Sequence, residues 1–132
     1  MKIPIKDSEI MLFKAERDYK SGIILLDSEL EDQAIYHFQQ AGEKALKSIL
    51  FFYKAKVPKN HDLSNVLDKI IELDKEFEKL YESAENLTPY STAYRYMDTG
   101  FGLVPSHDLV EEAKNDSLKI LEFVKNKLNK NK

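Results

Sequence analysis

The sequence predicts an all-α fold, an up-and-down bundle of four to five helices. Apolar residues recur at helical spacing along most of the 132 residues, and no segment alternates with period two for long. Glycine and proline are scarce, at four residues each. Because short connections join the long amphipathic segments, neighbouring helices are expected to run antiparallel. We expect a single domain over residues 1–132, which is long enough to bury one core.

The first two helices are predicted at about 6–27 and at 31–55, the second ending before Pro58. Five residues at core spacing support the first, namely Leu12, Ala15, Tyr19, Ile23 and Leu26. One apolar stripe supports the second, made of Ala34, Phe38, Ala41, Ala45, Ile49 and Phe52. Gly42 lies in the middle of the second helix, where glycine lowers helix stability by about 1 kcal/mol relative to alanine. This position therefore favours close approach of a neighbouring helix.

The later helices follow from caps and apolar stripes. Asn60 is the predicted N-cap of a third helix, and Ser106 that of the last. The inward residues of the third helix are Leu63, Val66, Leu67, Ile70 and Ile71. A fourth helical stretch at 74–86 places Phe77, Leu80, Ala84 and Leu87 inward. Residues 88–106 are predicted to be irregular. The last helix has a continuous stripe of Val110, Ala113, Ser117, Ile120, Leu121, Val124 and Leu128.

Composition and charge exclude several classes of function. Cysteine is absent, so disulfides, thiol nucleophiles and thiolate metal sites are excluded. No apolar run approaches the ~20 residues that cross a bilayer, and no signal-peptide run opens the chain. The net charge of −3 argues against broad binding of duplex DNA. No histidine pair has metal-ligand spacing. We expect a soluble cytoplasmic protein without a metal or cofactor.

The second helix has a mixed aromatic and polar side opposite its apolar stripe. This side includes Tyr36, Gln40, Glu43, Lys47 and Phe51. A solvated face with a Glu43–Lys47 ion pair is one interpretation. Two aromatic residues among the charges favour an interface instead, because they are poorly suited to open water. A two-fold homodimer is the simplest closed assembly that would cover them.

The segment Tyr90-Ser91-Thr92-Ala93-Tyr94-Arg95-Tyr96 is a candidate binding site. Three tyrosines flank one of only two arginines in the chain. Aromatic rings stack on bases, and arginine binds phosphate, so a nucleotide site is chemically reasonable. In the alternative interpretation the tyrosines anchor a loop, and Arg95 pairs with an acidic residue of a helix.

Three sequence blocks resemble the HEPN domain family, in the same order and over nearly the whole chain. They are His37-Phe38-x-Gln40-Ala41-x-Glu43-Lys44-Ala45-Leu46-Lys47, then His61-Asp62-Leu63, then Ala93-Tyr94-Arg95-Tyr96. The resemblance implies a small helical domain that dimerises. It also implies a minimal nucleotidyltransferase partner made alongside it, as in toxin–antitoxin or substrate-presentation pairs. A nucleotide or other phosphorylated ligand would then lie near His61, Arg95, Tyr94 and Lys44.

Many HEPN domains are metal-independent ribonucleases in which an arginine precedes a histidine by four to six residues. No arginine stands at that spacing before His37, His61 or His107. The sequence therefore favours a non-catalytic binding subunit, with no catalytic residues assigned. Two alternatives remain open. One is a ribonuclease toxin in which Lys56 or Arg95 replaces the missing arginine beside His61, and the other is a plain protein-interaction scaffold.

Overall fold

Five α-helices and two 3-10 helices form the structure, a computed structural model that describes residues 6–59, 62–96 and 99–130. Helices α1 to α5 span Asp7–Asp27, Glu31–Phe52, Leu63–Leu73, Tyr81–Leu87 and His107–Lys130. The 3-10 helices, Lys75–Leu80 and Thr88–Ser91, lie on either side of α4. The described ranges contain no strand. The all-α prediction is confirmed.

Helix α2 lies at the centre of the bundle. It packs along α1 and α5 and also contacts α3, α4 and the second 3-10 helix. The predicted apolar stripe is confirmed except at Phe52, whereas the predicted outer side is wrong at Gln40 and Glu43. Phe52, assigned to the stripe, is 36 % exposed, whereas Gln40 and Glu43, assigned to the outer side, are 8 % and 3 % exposed. The reason is that helices cover α2 on more than one side.

Most other predicted core positions are confirmed. In α1, Ala15 and Leu26 are buried, while Leu12, Tyr19 and Ile23 are half-buried against the core. In α3, only Ile71 of the five predicted residues is not fully buried. The predicted stripe of α5 is buried throughout, as are the four inward residues predicted for the fourth stretch. Periodicity identified these faces because each of these helices meets the bundle on one side.

Helices α1 and α2 end in the same way, with a left-handed residue that is not glycine. Glu29 and Lys54 have φ angles of 61° and 56°. In each case the next amide donates back across the last turn, from Leu30 to the Leu25 carbonyl and from Ala55 to the Leu50 carbonyl, both at 2.9 Å. This Schellman-type closure satisfies carbonyls that the helix leaves unpaired. It ends α2 at Phe52, short of the predicted Ala55.

The caps of the later helices are partly as predicted. Ser106 Oγ accepts from the Leu109 amide at 3.2 Å, which confirms that cap. The N-cap of α3 is Asp62, whose carboxylate accepts from the Ser64 amide at 2.9 Å. The predicted cap, Asn60, lies outside the described residues. The fourth stretch is not one α-helix, because its first part, Lys75–Leu80, is a 3-10 helix capped by the Asp74 carboxylate.

Two mid-helix glycines allow close packing. A Cβ at Gly42 would lie 2.9 Å from Leu87 Cδ1, which confirms the predicted close approach. At Gly22 a Cβ would lie 2.5 Å from Cε1 of the buried Phe38 ring. Gly22 thus allows the Phe38 ring of α2 to lie directly against the α1 backbone.

None of the helices in the described ranges is long and apolar enough to cross a bilayer.

Candidate functional site

An open cavity of about 370 Å³ lies between the first turns of α2 and the segment after the second 3-10 helix. It is lined by Asp32, Gln33, Tyr36, His37, Tyr94 and Arg95. The contact of α2 with the second 3-10 helix brings these two regions of the sequence together. The cavity combines two aromatic rings, a guanidinium, an imidazole and a carboxylate. This mixture of groups can bind a small polar ligand that also has a flat part.

The Arg95 guanidinium lies over the rings of two tyrosines. Its Cζ lies 3.9 Å from the centroid of the Tyr36 ring and 5.4 Å from that of Tyr96. Its Nη1 donates to the Ser91 carbonyl at 3.0 Å, and no carboxylate among the described residues pairs with it. The alternative in which Arg95 pairs with an acidic helix residue is therefore not what the described residues show. Stacking orients the guanidinium and leaves most of its five N–H donors available to an anion.

Tyr94, which lines the cavity, has a strained backbone conformation. Its φ is 67°, in the left-handed region that costs a bulky residue about 1–3 kcal/mol. Its ring stacks on that of Tyr90, with centroids 6.4 Å apart, and meets the Phe101 ring edge-on at 5.6 Å. Tyr90 is nearly buried, and this burial raises its hydroxyl pKa, with Tyr94 and two carboxylates of α5 adding to the effect. The aromatic contacts thus support the strained turn.

Asp18 of α1 does not line the cavity but binds His37, which does. The Nδ1 of His37 donates to Asp18 Oδ1 at 2.9 Å, and the Nζ of Lys44 donates to Oδ2 at 2.6 Å. The Asp18 side chain is 13 % exposed. In the neutral ring this contact leaves Nε2 of His37 as the acceptor. One carboxylate from α1 therefore orients two basic side chains of α2.

Four polar side chains of α2 form a chain of hydrogen bonds. Gln40 donates to Gln39 at 2.7 Å, and Gln39 and Lys47 donate to the two Glu43 oxygens at 3.1 and 3.0 Å. Gln39 is fully buried, and Lys47 has only 13 % of its side chain exposed. Hydrogen bonding makes burial of these groups tolerable.

The structure brings together two of the four predicted ligand-binding residues, Arg95 and Tyr94. Lys44 does not line the cavity, because its ammonium is bound to Asp18. His61 lies outside the described residues. Tyr36, which was predicted to lie in a dimer interface, lines the cavity. Of the other predicted interface residues, Gln40 and Glu43 offer little surface to a second chain, while Phe51 is half-buried.

The sequence reasoning missed Asp32, Gln33 and His37 as cavity residues. A signal for two of them was present, because Gln33, Tyr36 and His37 stand at i, i+3 and i+4 and so share one side of a helix. Asp18 carried no such signal, since it lies 19 residues before His37 in the chain. In the described parts of the chain no three His, Asp or Glu side chains are grouped to hold a metal ion.

Comparison with known proteins finds one matching family model and solved structures with the same fold. The family model of the HEPN domain matches residues 8–127. TT1696 from Thermus thermophilus, a solved structure, is 26 % identical, with a TM-score of 0.78 over 93 % of this chain and 99 % of that one. ST0689, described as an archaeal HEPN homologue, is 23 % identical, with a TM-score of 0.75 over 93 % and 98 % of the two chains. No match to a curated protein was found.

Proposed function

The chain belongs to the HEPN domain family, and on that premise we propose that it is a non-catalytic binding subunit for a nucleotide or similar phosphorylated ligand. The ligand would occupy the cavity beside Arg95. The bundle would hold it for a partner enzyme, and the family resemblance suggests a minimal nucleotidyltransferase for that role. A homodimer is part of the same proposal.

One observation carries the proposal, the stacking of Arg95 on Tyr36 at the edge of the cavity. A guanidinium is well suited to phosphate because its planar N–H groups match two phosphate oxygens. Tyr36 and Tyr94 line the same cavity, and aromatic faces stack on any base. The cavity volume of about 370 Å³ lies in the range of small-molecule sites.

A thermal shift assay tests the proposal, using AMP, GMP, CMP and UMP as probes. At a hundredfold excess over its Kd a ligand stabilises the native state by about 2.7 kcal/mol, so a clear rise in Tm is expected. Arg95→Gln should abolish the rise. Arg17→Gln is the matched control, because Arg17 is the other arginine, is exposed on α1 and lies over Phe13 rather than in the cavity. A rise that Arg95→Gln leaves intact would show that the ligand binds elsewhere.

The homodimer has its own test. Light scattering during size-exclusion chromatography should give twice the chain mass of 15.3 kDa. Phe51→Glu should give the monomer, because it places a charge on the aromatic end of α2. Ile24→Glu is the control, since Ile24 is already 65 % exposed. A chain that elutes as a monomer at high concentration contradicts this part of the proposal.

A second candidate function, metal-independent cleavage of RNA, is favoured by one contact. A histidine oriented by a carboxylate can serve as a general acid or base, and His37 is so held by Asp18 in a cavity that Arg95 also lines. This arrangement would use Arg95 with His37 rather than His61. Cleavage of single-stranded RNA in EDTA that is lost in His37→Ala would support it. Intact RNA after prolonged incubation with the wild-type protein rules it out.

A further inference from the structure

We infer that the cavity selects a ribonucleoside monophosphate, and that Asp32 is the residue that sets this specificity. The inference rests on the proposed function and narrows its ligand. It depends on a carboxylate that shares the cavity with Arg95.

Asp32 is the second residue of α2 and is half-buried at the cavity wall. No hydrogen bond or ion pair joins its carboxylate to any residue in the described ranges. This separates it from Asp18, whose two oxygens are both occupied by His37 and Lys44. The Asp32 carboxylate is thus an acceptor that faces the space a ligand would fill.

The charges around the cavity limit the number of phosphate groups that a bound ligand can carry. Among its lining residues, Arg95 is the permanent cation and Asp32 is the carboxylate. The ammonium of Lys44, on the same helix as Asp32, is already paired with Asp18. One phosphate can therefore pair with Arg95. If a triphosphate places its ribose at Asp32, its outer phosphates extend beyond Arg95, where no other permanent cation stands among the described lining residues. If it pairs its terminal phosphate with Arg95 instead, its inner phosphates lie towards Asp32, and like charges at close range disfavour binding.

Asp32 can also bind a ribose directly. An ionised carboxylate only accepts hydrogen bonds, and its two oxygens can accept from two adjacent hydroxyls. A ribose carries such a pair, and a carboxylate that binds the ribose hydroxyls is a recurrent device in nucleotide sites. With the phosphate at Arg95, the ribose would lie at Asp32 and the base beside the tyrosines. A cavity of about 370 Å³ is at the small end for ligand sites, which also suits a ligand with one phosphate.

Titration calorimetry in EDTA tests the inference with three kinds of probe: the four ribonucleoside monophosphates, their 2′-deoxy forms and the corresponding triphosphates. The wild-type protein should bind its best monophosphate at least tenfold more tightly than the 2′-deoxy form and the triphosphate. In Asp32→Asn the advantage over the triphosphate should fall to threefold or less, and that over the deoxy form should fall as well. Glu31→Gln is the control, because it removes the same charge from the same helix turn at a position that does not line the cavity. It should leave both ratios unchanged.

The outcomes separate this inference from the function on which it rests. Arg95-dependent binding in which the triphosphate is equal or tighter, or in which Asp32→Asn leaves both ratios unchanged, overturns the role of Asp32 and leaves the binding function standing. Equal changes in Asp32→Asn and Glu31→Gln would also overturn it, because they would indicate a general effect of helix charge. No binding of any probe overturns both. Circular dichroism of each variant confirms that it has folded.

Discussion

At the scale of single residues, Arg95 could be found from the sequence and Asp18 could not. Arg95 is one of two arginines and stands among tyrosines, so local chemistry identified it. Asp18 acquires its role through contacts with residues 19 and 26 positions away, which only the packing of α1 on α2 creates. Lys44 was predicted to bind the ligand because nothing in the local sequence shows that its ammonium pairs with Asp18.

Ser117 provides a first prediction, on stability. It is fully buried on α5, and its Oγ has no hydrogen-bond partner in the part of the chain that the structure describes. An unsatisfied buried hydroxyl is unfavourable, so Ser117→Ala should raise the free energy of unfolding by about 1 kcal/mol. Urea denaturation measures the change.

Ser48 is the matched control for this substitution. It is equally buried in a helix, but its Oγ donates to the Ala45 carbonyl at 2.6 Å. Both substitutions gain the same helix propensity, so the difference between them isolates the hydrogen bond. Ser117→Ala should be the more stabilising by about 1 kcal/mol. Equal effects would mean that the Ser117 hydroxyl is satisfied.

The two mid-helix glycines provide a second prediction. Gly22→Ala should lower the free energy of unfolding by about 1–3 kcal/mol, because the new Cβ would meet three atoms of the buried Phe38 ring within 2.9 Å. Gly42→Ala should cost less, since its closest contact, at 2.9 Å, is the terminal methyl of Leu87. Both gain about 1 kcal/mol of helix propensity. Urea denaturation of the two variants gives the comparison, and a Gly22→Ala protein as stable as the wild type contradicts it.

At the scale of elements, α2 shows what helical periodicity can and cannot predict. The periodicity located the helix and the buried residues of its stripe, with the exception of Phe52. It could not show that Gln39, Gln40 and Glu43 would also be buried, because polarity was taken to indicate an outer side. These side chains satisfy one another by hydrogen bonds, which makes their burial tolerable. Polarity therefore marked a buried network here rather than a solvent-facing surface.

The contact of α5 with the first 3-10 helix provides a third prediction, on pH dependence. Lys127 Nζ lies 2.8 Å from Asp74 Oδ2, and this hydrogen bond holds the Asp74 pKa below its usual 3.8. Because the folded-state pKa is the lower one, the stabilisation is complete above the unfolded pKa. It is lost as the pH falls through the folded-state pKa. Asp74→Asn keeps an acceptor for the Glu76 amide and removes only the charge.

We expect Asp74→Asn to lower the free energy of unfolding by about 0.5–1 kcal/mol at pH 7, and by progressively less below about pH 4. Lys127 shows the opposite dependence. The same hydrogen bond raises its pKa above 10.5, so its contribution is present below that pH and is lost as the pH rises through the folded-state value. Urea denaturation between about pH 3 and 7 measures the first effect. Glu85→Gln, on the exposed side of α4, is the control, and a pH-independent loss in Asp74→Asn contradicts the account.

At the scale of the whole molecule, the bundle was predictable and the cavity was not. The core follows from stripes that each helix displays along its own sequence. The cavity arises where the strained turn at Tyr94 meets the start of α2, two regions that are far apart in the sequence. Nothing in the local sequence fixes that meeting. The resemblance to HEPN domains supplied the fold, but residue contacts were needed to identify His37 and Asp32 in the site.

The most direct measurement of the central claim is a crystal structure of the protein with AMP at saturating concentration. The account predicts a phosphate oxygen within about 3.2 Å of an Arg95 guanidinium nitrogen, with the adenine beside Tyr36 or Tyr94. Nucleotide density away from this cavity, or an empty cavity at a concentration that saturates binding in solution, would contradict it.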